Sequence, residues 1–144
     1  MFGIWGHQKA AEITYYGLHA MQHRGQDGAG IVVNNGKELK IHKGKGLVND
    51  VFERLNFADY QGHAAIGNIR NSTHDDGVFD NVQPHLFHSL DGSMAIAHTG
   101  KIVNAGTIRR KLEEEGSILQ TTSDNEILAH LIRKNGQQHL EEAI

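Results

Sequence analysis

His19 and His23 stand four residues apart, the spacing at which two imidazoles on one helix can chelate a zinc ion. No third ligand is specified near them, and His85 and His88 lack a supporting acidic cluster. The chain's 11 histidines therefore read as structural, and neither metal nor cofactor is expected. Sulfur chemistry is more firmly bounded. The 144 residues contain no cysteine, which removes disulfides, thiolate metal sites and thiol nucleophiles together. Gly44-Lys45-Gly46 is too short to cradle a phosphate and reads as a turn. Trp5, Tyr15, Tyr16 and Phe87 read as core or interface rings, not a ligand stack.

The elements that must position any site follow from periodicity and punctuation. Phe2 to Gly6 reads as a short strand, and a helix follows from about Ala10 to Gln22 with Ile13, Gly17, Leu18 and Met21 on its inward face. Ala29 to Val33 is a β-branched strand, and Asn34-Asn35-Gly36 is a hairpin turn that returns Lys37 to Ile41 antiparallel. Gly44 and Gly46 interrupt the pattern, after which Asn49 can cap a short helix to about Leu55. Ala64 to Ile69 forms another buried strand, and the polar stretch from Asn71 to Pro84 a long surface loop. Strands near Leu86–His88 and Met94–His98 come next. A helix capped by Asn104 then ends at Gly116, and a second, with Ser123 and Glu126 as a capping box, ends at Gly136. Hairpins interspersed with helices, without regular strand-helix alternation, give an α+β class with antiparallel sheet.

Composition excludes several function classes. The length is that of one domain, the formal net charge is -3, and no basic run exists that could neutralise successive phosphates, so nucleic acid is not an expected partner. No segment approaches ~18 consecutive apolar residues and no signal-peptide pattern opens the chain, which implies no membrane span and a cytoplasmic location. The acidic run Glu113-Glu114-Glu115 reads as a solvated helix face.

Several strings carry a more specific message. Phe2-Gly3-Ile4-Trp5-Gly6-His7, Ile13-Thr14-Tyr15-Tyr16-Gly17-Leu18 and Gln22-His23-Arg24-Gly25-Gln26-Asp27-Gly28-Ala29-Gly30 closely resemble the start of bacterial amidophosphoribosyltransferases. The likeness continues through Gly46-Leu47-Val48, Ile66-Gly67 with Arg70, Asn81-Val82-Gln83-Pro84, Ala97-His98, Val103-Asn104-Ala105 and Ser123-Asp124 with Glu126 to Ile132. It therefore spans essentially the whole chain, 1–144 being read as a partial class-II glutamine amidotransferase domain. The family is that of the N-terminal nucleophile (Ntn) amidotransferases. Its implied fold is an Ntn-hydrolase αββα sandwich, two antiparallel sheets between helices, here C-terminally incomplete.

The resemblance also implies a chemistry and its residues. Members hydrolyse glutamine with an N-terminal cysteine and pass ammonia to a phosphoribosyl pyrophosphate site in a second domain. Arg24 matches the arginine that helps form the glutamine pocket, Arg70 the residue expected to bind the substrate carboxylate, and Asp124 the carboxylate expected to hold the substrate ammonium. For Asp124 the competing reading is helix capping beside Ser123. Met1 aligns with the residue just before the family's Phe-Gly-Ile, so the family's Cys-Gly pair has no counterpart. The family's His-Asn-Gly oxyanion motif is replaced by His98-Thr99-Gly100, a hydroxyl standing where an amide donates. The family's His-Val-Arg-Tyr-Ala-Thr becomes Asn68-Ile69-Arg70-Asn71-Ser72-Thr73. Asp75-Asp76, without a preceding apolar strand, reads as a solvated loop and not as a phosphoribosyl pyrophosphate motif.

The expectation is a catalytically silent amidotransferase-like domain: no catalytic residue, degenerate Thr99 and Gly100, and retained Arg24, Arg70 and Asp124. It would act as a binding or regulatory module, or stand as a remnant, with glutamine or glutamate as ligand. Self-association, or association with a full-length amidophosphoribosyltransferase, would cover its unpaired edges. The alternative is an active glutaminase whose cysteine and phosphoribosyltransferase domain lie outside this sequence.

Overall fold

Period-two alternation in the run Gly28–Asn34 (β2) organises the first part of the molecule. In the computed structural model, which describes residues 1–71, 79–90 and 92–135, β2 pairs antiparallel with Leu39–Lys45 (β3) on one side and Ala64–Arg70 (β4) on the other. Phe2–Trp5 (β1) pairs with β4, giving the order β1-β4-β2-β3. His85–Ser89 (β5) and Gly92–Ile96 (β6) form a separate two-stranded sheet. Residues 72–78 of the surface loop expected from Asn71 to Pro84, with Ser72, Thr73 and the Asp75-Asp76 pair, lie outside the described residues, as does Gly136, and the end of that stretch is not at the surface, since Asn81, Val82 and Pro84 are buried. The chain divides into two compact units, Met1–Ala97 and His98–Ile144.

One face of the four-stranded sheet is aliphatic. Ala29, Ile31, Val33, Ala65 and Ile69 pack with Ala10, Ala11 and Leu18 of helix α1 (Ala10–Ala20) and with Val48 and Phe52 of the short helix α2 (Val48–Phe52). Each valine, leucine, isoleucine or phenylalanine among them, taken wholly out of water, contributes about 1.5–3 kcal/mol before entropy is counted. The inward stripe of α1 runs through Ala10, Ala11, Thr14 and Leu18, so that Leu18 is buried and Met21 packs on the core as expected, while Ile13 is only half-buried and Thr14 takes the inward place. The difference arises because Thr14 and Leu18 straddle Gly67 on β4, where any β-carbon would collide with both side chains. Gly17 likewise makes room for the Phe2 ring.

Two further expectations are corrected. β3 does not stop at Ile41 but pairs with β2 as far as Lys45, and Gly44 lies within it, its bare backbone accommodating Val51. Asn49 does not cap α2. It sits inside the helix and accepts a hydrogen bond from the Tyr15 hydroxyl at 3.1 Å, while the Val48 amide is capped from a distance by Gln22 Oε1 at 2.7 Å. The hairpin turn forms as expected. The Asn34 and Asn35 side chains accept from Gly36, Lys37 and Glu38 amides, and Gly36 takes φ +89°.

The second unit holds two helices, α3 (Ala105–Glu114) and α4 (Asp124–Lys134). α3 closes on Gly116 at φ +88°, with the Ser117 amide reaching back to the Leu112 carbonyl in a Schellman arrangement. Asn104 precedes α3 without a side-chain cap. Ser123 does cap α4, accepting from the Asn125 amide. Its supposed partner Glu126 turns elsewhere: the buried carboxylate accepts from the Gln120 and Thr121 amides and the Thr121 hydroxyl. No helix of the described residues is long and apolar enough to cross a membrane.

Candidate functional site

The residues that carry the resemblance in the first unit meet at one end of the sheet. Arg24 is exposed at the end of a 3-10 turn, Gln22–Arg24, that follows α1. Gln22 braces this turn, donating to the Gly25 carbonyl at 2.6 Å while accepting from the Val48 amide. Gly25 then lies directly on the last residue of β4, where a β-carbon would overlap the Arg70 carbonyl. The Asp27 amide donates to that same carbonyl at 3.2 Å. Glycine is therefore required at position 25 by close backbone approach, and the approach sets the Arg24 turn against Arg70.

The chain also starts here. Phe2 is paired with Gly67, so β1 is entered from the side of Asn68 and Arg70. The Met1 amine is held below its ordinary range first by partial burial and then by the positive charge of Arg24.

Alternation places Asn68, Arg70 and Lys43 on the sheet face opposite α1, around a notch made by Gly28 and Gly30 of β2. Into this notch the segment Asn81–Pro84 settles, with its Gln83-Pro84 bond cis. A β-carbon on Gly30 would stand 2.5 Å from the Gln83 carbonyl oxygen, and one on Gly28 3.0 Å from the Val82 side chain. Arg70 Nη1 donates to the Asn81 carbonyl at 2.7 Å and Lys43 Nζ to the Val82 carbonyl at 2.9 Å. Asn68 Nδ2 donates to Gln83 Oε1 at 2.8 Å. Asn68 is 5% exposed, and its Oδ1 has no hydrogen-bond partner among the described residues, so an acceptor is buried beside Arg70. Burial lowers the pKa of Lys43, with Asp80 acting in the opposite sense. Lys43, Asn68 and the glycine notch were absent from the sequence-derived site. Their trace was the shared parity of Asn68 and Arg70 on one strand, which puts both side chains on one face.

In the second unit, Thr99 and Gly100 are exposed, and Gly100 takes φ +137°, with the His98 ring beside it. Asp124 is the first residue of α4. Its Oδ2 accepts from the Ile102 amide at 2.8 Å, so it neither caps its own helix, a role taken by Ser123, nor stands idle. The structure thus brings Arg24 and Arg70 together within one unit, while Thr99, Gly100 and Asp124 belong to the other. Among the described residues, no group of three or more histidine or acidic side chains could hold a metal ion.

Residues 56–144 match the glutamine amidotransferase domain family. Over its whole length the chain is 51% identical to amidophosphoribosyltransferase of Bacillus subtilis (strain 168) and 43% identical to that of Staphylococcus epidermidis, covering 30% and 29% of those proteins. The chain therefore spans about a third of the length of the curated relatives it matches. A solved structure of the glutamine phosphoribosylpyrophosphate amidotransferase from B. subtilis, complexed with ADP and GMP, superposes with a TM-score of 0.90 at 50% identity, covering 99% of this chain and 30% of that one. A second, described as the allosteric regulatory enzyme of purine biosynthesis, gives 0.93 at 51% identity, covering 99% and 31%. The fold is that of the Ntn-hydrolase glutaminase domain, in its N-terminal part. With the family match extending over more than half of its residues, this chain belongs to the glutamine amidotransferase domain family.

Proposed function

We propose that this chain recognises glutamine, or its hydrolysis product glutamate, through the carboxylate end, with Arg70 as the anchor and Arg24 lining the pocket. The observation that carries the reading is the seating of the Arg24 turn on the Arg70 carbonyl, which sets two guanidinium-bearing segments together. A planar guanidinium suits a carboxylate because it offers parallel N–H groups matched to two oxygens. Asp124 is the residue the resemblance offers for the ammonium, and its Oδ2 is already occupied by the Ile102 amide.

Binding without cleavage is the form of this activity that the 144-residue polypeptide supports. Amide hydrolysis in this family proceeds through a thiolate, and the sequence contains no cysteine. Isothermal titration is expected to show glutamine binding that falls about 10- to 100-fold in Arg70→Met, the loss of a charge-assisted pair of hydrogen bonds. No heat at millimolar glutamine or glutamate with the unaltered chain would end the proposal.

A second reading is favoured by one specific observation. Met1 lies within the field of Arg24, so any residues preceding it would be delivered to the same end of the sheet. A Cys-Gly pair placed there would put a thiol beside the recognition residues, and the domain would then be an active glutaminase.

A further inference from the structure

Three consecutive backbone carbonyls of the segment in the glycine notch accept from three basic side chains. His85 Nε2 donates to Asp80 O at 2.8 Å, Arg70 Nη1 to Asn81 O at 2.7 Å and Lys43 Nζ to Val82 O at 2.9 Å. Asp80, just before the segment, is exposed, whereas the two residues after it are inside the protein: Val82 is 2% and Asn81 5% exposed. Carbonyls in such a place need donors, because an unpaired one forfeits its hydration without return. Lys43 is further located by the Phe79 ring, whose centroid lies 5.2 Å from Nζ. It reaches the segment from β3, across the notch from Arg70 on β4.

We propose that Lys43 is a positioning residue for Arg70, acting through the Val82 and Asn81 carbonyls. The two carbonyls belong to peptide planes hinged at the Val82 α-carbon, and the first plane is also held by the Val82 amide donating to the Phe79 carbonyl at 3.0 Å, so a turn of the second plane strains the first at that hinge. With the ammonium in place, Val82 O faces β3 and Asn81 O faces β4, where it accepts from Arg70 Nη1. Without it, Val82 O is buried with its donor lost. The peptide then turns toward another donor, the strain passes to the Asn81 carbonyl, and the hydrogen bond from Arg70 Nη1 to it is weakened. Gly30 makes this possible, since the Lys43 β-carbon itself lies in the space that a side chain at position 30 would need. This inference rests on the reading of Arg70 as the carboxylate anchor.

The test compares the unaltered protein with Lys43→Met, which keeps the aliphatic stem and removes the donor, and with Lys43→Arg, which restores a cationic donor. Rotation of the Arg70 guanidinium is followed by NMR, its signal assigned by its disappearance in Arg70→Lys. Affinity is measured for glutaramate, which carries the carboxylate and amide of glutamine without a titrating amine. Lys43→Met is expected to speed Arg70 rotation severalfold and to weaken glutaramate about 2- to 10-fold, the cost of re-ordering one side chain. Lys43→Arg is expected to return both toward the unaltered values. Unchanged Arg70 rotation in Lys43→Met overturns the inference whether or not ligand binds. So does faster rotation with undiminished affinity. Failure of the unaltered protein to bind glutaramate counts against the carboxylate reading itself, and the rotation comparison then still decides whether Lys43 orders Arg70. If Lys43→Met does not fold, Lys43→Leu, which likewise offers no donor, takes its place with the same expected and overturning results.

Discussion

Thr99→Asn, made in a form of the chain extended by Cys-Gly ahead of Met1, is expected to raise glutamine hydrolysis about 10²–10³-fold over the extended parent, the usual worth of one oxyanion donor. The argument is one of reach and direction. A developing oxyanion is stabilised by donors already aimed at its position, and an amide places its N–H one bond farther from the backbone than a threonine hydroxyl can. The Gly100 backbone beside it holds φ +137°, a conformation that favours glycine, so the local turn need not be rebuilt to receive the asparagine. Ammonia release under saturating glutamine is the measurement. Equal rates for the two extended forms would remove Thr99 from the oxyanion site, and release by the unextended chain would show that its cysteine-free sequence is not silent.

Gly30→Ala is expected to lower stability by about 2–3 kcal/mol, read as a shift in the urea midpoint at unchanged slope. The added methyl would stand 2.5 Å from the Gln83 carbonyl oxygen and 2.8 Å from the Lys43 β-carbon. Neither obstacle is the free end of a flexible side chain, so strands β2 and β3 or the segment above them must move. Glutamine affinity should fall with stability, since the displaced segment carries the Asn81 carbonyl that Arg70 donates to. The same substitution at Gly106, where a β-carbon meets nothing within 4 Å, is the control. In helix α3 it is expected to be neutral or to stabilise by up to about 1 kcal/mol, through the entropy of the unfolded chain. A midpoint for Gly30→Ala matching that of Gly106→Ala would mean that the notch is not filled.

How much of this was legible in the sequence depended on whether a residue's role is local. The Asn34-Asn35-Gly36 hairpin, the Ala64–Arg70 strand and the Gly116 helix stop all follow from short-range chemistry, and all are found. The misses arise where a partner distant in sequence decides. Asn49 carries the composition of a cap, yet the Val48 amide is taken by Gln22, 26 residues earlier. Glu126 stands at the capping-box spacing, yet the backbone before Ser123 folds back and claims its carboxylate. In α1 the inward place of Thr14 was missed because, a poor apolar residue on its own, it fits against Gly67. In the site, Arg24 and Arg70 were marked by the strings around them. Lys43 and Asn68 were not, because nothing local shows that two glycines on the neighbouring strand admit a loop between them.

The brace made by Gln22 has a mechanical consequence. One side-chain amide is engaged at both of its ends, by the Gly25 carbonyl behind Arg24 and by the first amide of α2. The turn that carries Arg24 cannot swing outward without uncapping that helix, so a movement at this end of the sheet is transmitted to its far-side covering as a hinge transmits torque.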